Sequence, residues 1–247
     1  MMNDIPFEKI RTIFLDAGNT LVSMDFEWIR EELEHFGFSC DVTTLRRAEA
    51  ATRPHISAEL SQLKSTEGLG TFQFYLRSII ERLPRTFPSE EEAIESITRK
   101  LIPILRAPGQ TQRLWSAVLP GVRDALELLS RQGYQLIVVS NSDGTVEEGL
   151  KNQGLRSYFD GVVDSHVVGF EKPDPRLFHY AIEIANAIPD ETVHIGDMYD
   201  VDVLGAHSAG LHALLLDPYG DWRGVDCLRF PDLLSCAEAI IHRALSP

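Results

Sequence analysis

Two patterns of apolar and polar positions alternate along the chain. Short, near-continuous apolar runs stop on small or polar residues: Ile13-Phe-Leu before Asp16, Leu136-Ile-Val-Val before Ser140-Asn141, Val162-Val before Asp164, and Val193-His-Ile before Gly196-Asp197. Runs of this kind predict parallel strands buried on both faces, at 11–16, 134–140, 161–164, 192–196 and 211–216. Between them apolar residues return at helical spacing, predicting helices over 122–132, 145–153, 174–187, 201–209 and 231–245. Gly133 suits a helix end. Asp174 suits a cap, with Pro175 at the first helical position. Repeated strand–helix units with short links predict an α/β fold, a doubly wound Rossmann-like parallel sheet.

Residues 26–105 break this rhythm. Phe26-Glu-Trp-Ile-Arg-Glu-Glu-Leu, Phe72-Gln-Phe-Tyr-Leu-Arg-Ser-Ile-Ile and Ala93-Ile-Glu-Ser-Ile-Thr-Arg-Lys-Leu-Ile carry helical periodicity with no strand between them. Pro84, Pro88, Pro103 and Pro108 punctuate the stretch. It reads as an inserted all-helical domain over 25–111, with 1–24 and 112–247 forming the core.

Composition narrows the partners. The chain has 247 residues, 44% hydrophobic and 24% charged, with a formal net charge of −14. That acidity disfavours nucleic acid and anionic membranes, which need clustered Lys and Arg. It leaves room for a small phosphorylated substrate held by one Lys and a metal ion. The N-terminus shows no signal-peptide pattern, and no apolar stretch approaches membrane-spanning length. Cys40, Cys227 and Cys236 have no metal-ligand spacing and read as packing thiols. A cytoplasmic protein is expected. The sequence does not address its oligomeric state.

Polar residues gather at four strand ends: Asp16 to Thr20, Ser140-Asn141, Glu171-Lys172-Pro-Asp, and Gly196-Asp197 to Asp202. The carboxyl ends of parallel strands converge on one crevice. Asp16 is a candidate nucleophile, and Asp16 with Asp197 would suit an oxygen-preferring ion such as Mg²⁺. Ser140 and Lys172 could hold phosphoryl oxygens. The histidines lack zinc spacing, and His194 reads as structural. Neither Gly-x-Ser-x-Gly nor a nucleotide-binding Gly-rich loop is present. Arg46, Arg47, Arg53 and His55 read as a solvated helix face and are left out of the site.

The ordered motifs resemble the haloacid dehalogenase (HAD) superfamily hydrolases with a helical C1-type cap. They are Asp16-x-x-x-Thr20, Ser140-Asn141, Lys172-Pro-Asp-Pro-x-x-Phe178, and Gly196-Asp197-x-x-x-x-Asp202-x-x-Gly205-Ala206. The resemblance implies that Asp16 forms an aspartyl-phosphate intermediate. It implies that Ser140, Asn141, Lys172 and Thr20 bind substrate, with Ser140 and Lys172 also catalytic and Thr20 steadying the turn. Asp16, the backbone carbonyl of Gly18, and Asp197 would ligate Mg²⁺. Asp202 would orient Lys172 or a metal-bound water. Asp200 matches no family position.

Position 18 departs from the family's phosphatases, which carry a second Asp there as general acid–base. Gly18 keeps the carbonyl and has no proton to give, and such catalysis is worth ~10²–10⁴-fold. Several readings stay open. One is a Mg²⁺-dependent phosphohydrolase with weakened acid–base catalysis, suited to good leaving groups such as acyl or aryl phosphates. Another is a non-catalytic phosphate- or partner-binding member. A 2-haloacid dehalogenase-like enzyme is disfavoured by Asp197. A phosphonatase-like enzyme would need a reactive lysine from Lys64 or Lys100.

Overall fold

The computed structural model describes residues 5–62, 68–84 and 91–245. Strand β1 (Thr12–Leu15) is followed by a tight turn and a two-residue strand, β2 (Val22–Ser23). Among the described residues five helices come next: α1 (Phe26–His35), α2 (Val42–Gln62), α3 (Leu69–Ile80), α4 (Glu91–Leu105) and α5 (Thr111–Leu114). Strand β3 (Ala117–Val118) pairs antiparallel with β2 and closes the base of this insertion. The α/β alternation then resumes with α6 (Val122–Arg131), β4 (Gln135–Ser140), α7 (Val146–Asn152), β5 (Gly161–Asp164), α8 (Ser165–Val168) and α9 (Pro175–Ala185). It ends with β6 (Thr192–Gly196), α10 (Leu204–Ser208), β7 (His212–Leu216), β8 (Leu228–Phe230) and α11 (Leu233–Leu245).

The main sheet has the order β5-β4-β1-β6-β7-β8, and every pairing in it is parallel. The chain moves outward from β1 through β4 to β5. It then crosses back to β6 on the other side of β1. That reversal is the topological switch point, where open α/β sheets leave a crevice at the carboxyl ends of their strands. Leu15 lies level with Ile195 across β1 and β6, so Asp16 and Asp197 emerge from adjacent strand ends.

Side chains alternate between the sheet's two faces, as the pleat requires. Ile13, Leu15, Leu136, Val138, Val193 and Ile195 pack under α6, α7 and α11. Phe14, Ile137, Val139, Ala213 and Leu215 pack under α9 and α10. The helical insertion has its own apolar core, built from Trp28, Leu33, Leu45, Phe72, Leu76, Ile97 and Leu101 among others. On α4 the buried positions Ile94, Ile97, Thr98, Leu101, Ile102 and Leu105 follow helical spacing. Asp174 caps α9, its carboxylate accepting from the Arg176 N–H, with Pro175 at the first position.

One local expectation needs correction, and three short strands carry little signal in the sequence. The expected helix over 201–209 opens instead with a π-helical turn, Tyr199–Val203, before α10. The wider turn lets the Asp202 side chain fold back onto the strand end, and such turns recur at functional sites. Strands β2 and β3, two residues each, are too short to carry a periodic signal. Strand β8 is half-exposed and lacks the continuous apolar run that marks its neighbours. Of the residues weighed earlier, Pro88 and Lys64 lie outside the described residues.

Candidate active site

The turn after β1 is wound around one carbonyl. Ala17 O accepts from Leu21 N at 2.9 Å and Val22 N at 3.0 Å. Asn19 takes a left-handed conformation there, φ 51°, which asparagine tolerates better than most residues. This geometry points Asp16 into the crevice and swings the Asn19 side chain toward Asp197.

Lys172 occupies the centre of the site. Its Nζ donates to Asp16 Oδ1 at 2.6 Å and to Asp202 Oδ1 at 2.7 Å, and only 2% of its surface is exposed. Asn141 clamps the Lys172 backbone: its Nδ2 donates to Lys172 O at 2.9 Å, and its Oδ1 accepts from Lys172 N at 2.7 Å. Asn141, expected to bind substrate, therefore joins the end of β4 to the lysine loop. The second Asp202 oxygen accepts from the backbone N–H groups of Asp197 and Met198, at 3.2 and 2.9 Å. This fold-back requires Gly196, since a Cβ there would meet Asp202 Cγ at 2.2 Å. His194 Nε2 lies 3.0 Å from Asp202 Oδ1. A carboxylate only accepts, so the ring donates. Burial pushes the His194 pKa down, which keeps the imidazole neutral.

Charge separates the carboxylates. Burial works against ionised Asp202, but Lys172 and His194 outweigh it and hold the carboxyl well below the ordinary range. Burial raises the Asp16 pKa despite Lys172, and raises that of Asp197 well above the usual value despite Arg53. Lys172 stays protonated: burial opposes its charge, and Asp16 and Asp202 overcome that.

The helical insertion reaches this cluster, which sequence reasoning missed. Arg53 on α2 is buried, with Nη2 2.5 Å from Glu49 Oε2 and Nε 3.3 Å from Asp197 Oδ2. Asn19 Nδ2 shares its two N–H groups among three acceptors, Glu49 at 3.2 Å, the Tyr75 hydroxyl at 3.3 Å and Asp197 Oδ2 at 3.3 Å. The Tyr75 hydroxyl in turn donates to Glu49. Farther along α2, Ser57 Oγ accepts from Asp200 N at 2.9 Å, and Arg47 grips Asp221 through both guanidinium ends at 2.7 Å. Arg53 is thus no part of a solvated face, whereas Arg46, Arg47 and His55 are exposed as expected. The i,i+4 spacing of Glu49 and Arg53 was a visible signal, but it fits an exposed pair equally well.

Counting the buried charges tests whether a divalent ion fits. Asp16, Glu49, Asp197 and Asp202 face two buried cations among the described residues, Lys172 and Arg53, so carboxyl groups outnumber cations by two, and burial together with that excess raises the Asp16 and Asp197 pKa values. Ligand oxygens of Asp16, Asp197 and Asp202 lie within 4.8 Å of one another. An all-oxygen donor set with more carboxyl groups than cations fits Mg²⁺, whose charge would favour their ionised forms.

The site opens into a cavity of about 200 Å³, lined by Asp16, Gly18, Asn19, Ser140, Asn141, Lys172, Asp197 and Asp202 at its floor. Phe72, Tyr75, Trp115, Val146 and Leu150 are among its walls. Thr20 is fully buried and does not line this cavity. Its expected substrate contact is therefore corrected: it lies beneath the turn. Lys100 sits away from the cavity, its Nζ 5.4 Å from the Phe36 ring centroid.

Comparison with known proteins agrees with this architecture. A family model for haloacid dehalogenase-like hydrolases matches residues 10–210. The chain is 40% identical over 212 residues to the mouse haloacid dehalogenase-like hydrolase domain-containing protein 3, covering 84% of this chain and 82% of the relative. It is 37% identical over 99 residues to a glyceraldehyde 3-phosphate phosphatase from Methanothermobacter thermautotrophicus, covering 40% and 44%. The crystal structure of a 2-haloacid dehalogenase from Pseudomonas syringae shares the fold at a TM-score of 0.55 and 20% identity, covering 95% of this chain and 99% of that one. With its motifs gathered at one sheet edge and the match spanning sheet and insertion alike, this chain belongs to the haloacid dehalogenase-like hydrolases.

Proposed function

We propose that the chain is a Mg²⁺-dependent phosphohydrolase acting on a small phosphorylated molecule, with segment 25–111 serving as the cap over the catalytic core. The observation that carries this reading is the excess of buried carboxyl groups beside Asp16, where Asp197 adds a carboxylate that metal-free chemistry would not need. The phosphatase relative supports the substrate class.

Asp16 is the nucleophile in this reading. Lys172 fixes Oδ1 by its hydrogen bond, so Oδ2 attacks phosphorus. Lys172 and Ser140 neutralise and position the phosphoryl oxygens, which is most of what phosphoryl transfer asks of a protein. Asp16, the Gly18 carbonyl and Asp197 would hold Mg²⁺, which when bound supplies further charge neutralisation on the phosphoryl group. Asp202 orients Lys172 and ties it to the Asp197 loop. One observation favours a second reading, a phosphate-binding protein without turnover: the Arg53 guanidinium already stands against Asp197.

Phosphate release from phenyl phosphate and acetyl phosphate, with Mg²⁺ and after chelation, separates the two. Mg²⁺-dependent release from either compound is expected. Binding of phosphate without release from either compound would establish the second reading.

Ion binding should also appear in stability. An acid whose pKa is higher in the folded than in the unfolded protein binds its proton more tightly when folded. Its contribution is then lost as pH rises from the unfolded pKa through the folded one. Asp16 and Asp197 are of this kind; Asp202 is the reverse, and its contribution is lost only in acid. Mg²⁺ offsets the excess charge, so it should raise Tm more at about pH 8 than at about pH 5. Thermal melts with and without the ion measure this, and an equal shift at both pH values would contradict the assignment.

A further inference from the structure

The space beside Gly18 belongs to Trp115. A Cβ built on Gly18 would lie 3.4 Å from Cζ3 of the Trp115 indole and 3.9 Å from Asp16 Oδ2. Both are ordinary van der Waals contacts, so position 18 lies between the indole ring and the nucleophile. With glycine at 18, the face of the cavity beside the nucleophile is the Trp115 ring and not a carboxylate. Trp115 sits where the insertion rejoins the sheet and packs against the apolar cores of both. Its carbonyl accepts from Gln153 Nε2 at 2.9 Å, which fixes it against α7.

The rest of the cavity agrees. Val22, Phe72, Val146 and Leu150 extend the apolar wall. Among the described lining residues the carboxylates are Asp16, Asp197 and Asp202, each already committed by charge or hydrogen bonding. The Tyr75 hydroxyl spends its proton on Glu49. Gly18 itself offers no side-chain proton donor beside the nucleophile.

Resting on the phosphohydrolase reading, we propose that the substrates are aryl phosphates and that Trp115 is the specificity-determining residue against which the flat aromatic leaving group stacks. Asp16 Oδ2 bonds to phosphorus as the phosphorus–aryl oxygen bond breaks. The electron pair leaves on the aryl oxygen, which is stable enough as an anion to depart without a proton donor. Water then displaces the Asp16 oxygen from phosphorus, and its protons leave with the inorganic phosphate.

The test uses substituted phenyl phosphates of graded phenol acidity, with acetyl phosphate and glycerol phosphate for comparison. The wild-type kcat/KM should fall steeply as the phenol becomes less acidic, and glycerol phosphate should be slower by at least ~10²-fold. Trp115→Leu keeps apolar bulk but removes the ring. It should lower the kcat/KM ratio of phenyl to acetyl phosphate by roughly three- to ten-fold, whereas Trp115→Phe retains most of it. An unchanged ratio in Trp115→Leu, or no dependence on phenol acidity, overturns the proposal. Binding of phenylphosphonate and methylphosphonate, measured by calorimetry, separates this from failure of the hydrolase reading. If no phosphate is turned over but phenylphosphonate binds more tightly than methylphosphonate only while the ring is present, the aromatic subsite stands and hydrolysis falls. If neither preference nor turnover appears, both fall.

Discussion

Asp16→Asn should lower phosphate release by roughly 10⁴–10⁶-fold while leaving the protein folded. The amide matches the carboxylate in shape but is a poor nucleophile, so the first bond to phosphorus does not form. The fold should not suffer, because the site already holds two more buried carboxylates than cations. Lys172 keeps Asp202 as its partner, at 2.7 Å. Burial raises the Asp16 pKa, so the ionised form is the strained one, and removing its charge should leave the Tm of the metal-free protein equal or higher. The amide keeps one oxygen for an ion, so Mg²⁺ should still raise Tm. Steady-state phosphate release together with thermal melts checks both halves. Residual activity near wild type would take Asp16 out of the mechanism.

Lys172→Met should have the largest effect on stability. The side chain is 2% exposed and lies between two buried carboxylates. Methionine fills most of the volume but leaves Asp16 and Asp202 facing each other without a counter-charge. Breaking a buried ion pair from one side costs about 3–5 kcal/mol. The pH dependence identifies the cause. Without the lysine both carboxyl pKa values rise, so the deficit should shrink as the pH falls and the acids take up protons. Adding Asp202→Asn to Lys172→Met should recover part of the loss by removing one uncompensated charge. Urea unfolding near pH 5 and pH 8 measures both effects, and an unchanged midpoint in Lys172→Met would show that the cluster is not held together by charge.

The sheet was legible because its strands are buried on both faces and therefore read as unbroken apolar runs. Asp16, Ser140 and Asp197 were legible because they stand directly at the ends of those runs. Lys172 was legible only through the residues around it. Its position depends on the Asn141 clamp, a contact between residues on different strand–helix units that no local pattern encodes. Thr20 shows the reverse error, since its motif position suggested substrate contact while the turn folds it inward. Arg53, Glu49 and Tyr75 were missed for a different reason. Their helices carry ordinary amphipathic spacing, and only the docking of α2 on the 196–203 loop turns one polar stretch into part of the site.

That docking has a thermodynamic consequence. On the proposed function, Asp197 serves two cations that arrive from different directions, an ion from solvent and a guanidinium carried by the insertion. Charge given to one weakens the hold on the other. Loading the ion should thus loosen α2 by the same factor by which lifting α2 tightens the ion, because linkage between two binding events is reciprocal. The insertion would then act as a competing ligand tethered to the protein, and the enzyme's apparent Mg²⁺ affinity would depend on how often that tether lets go.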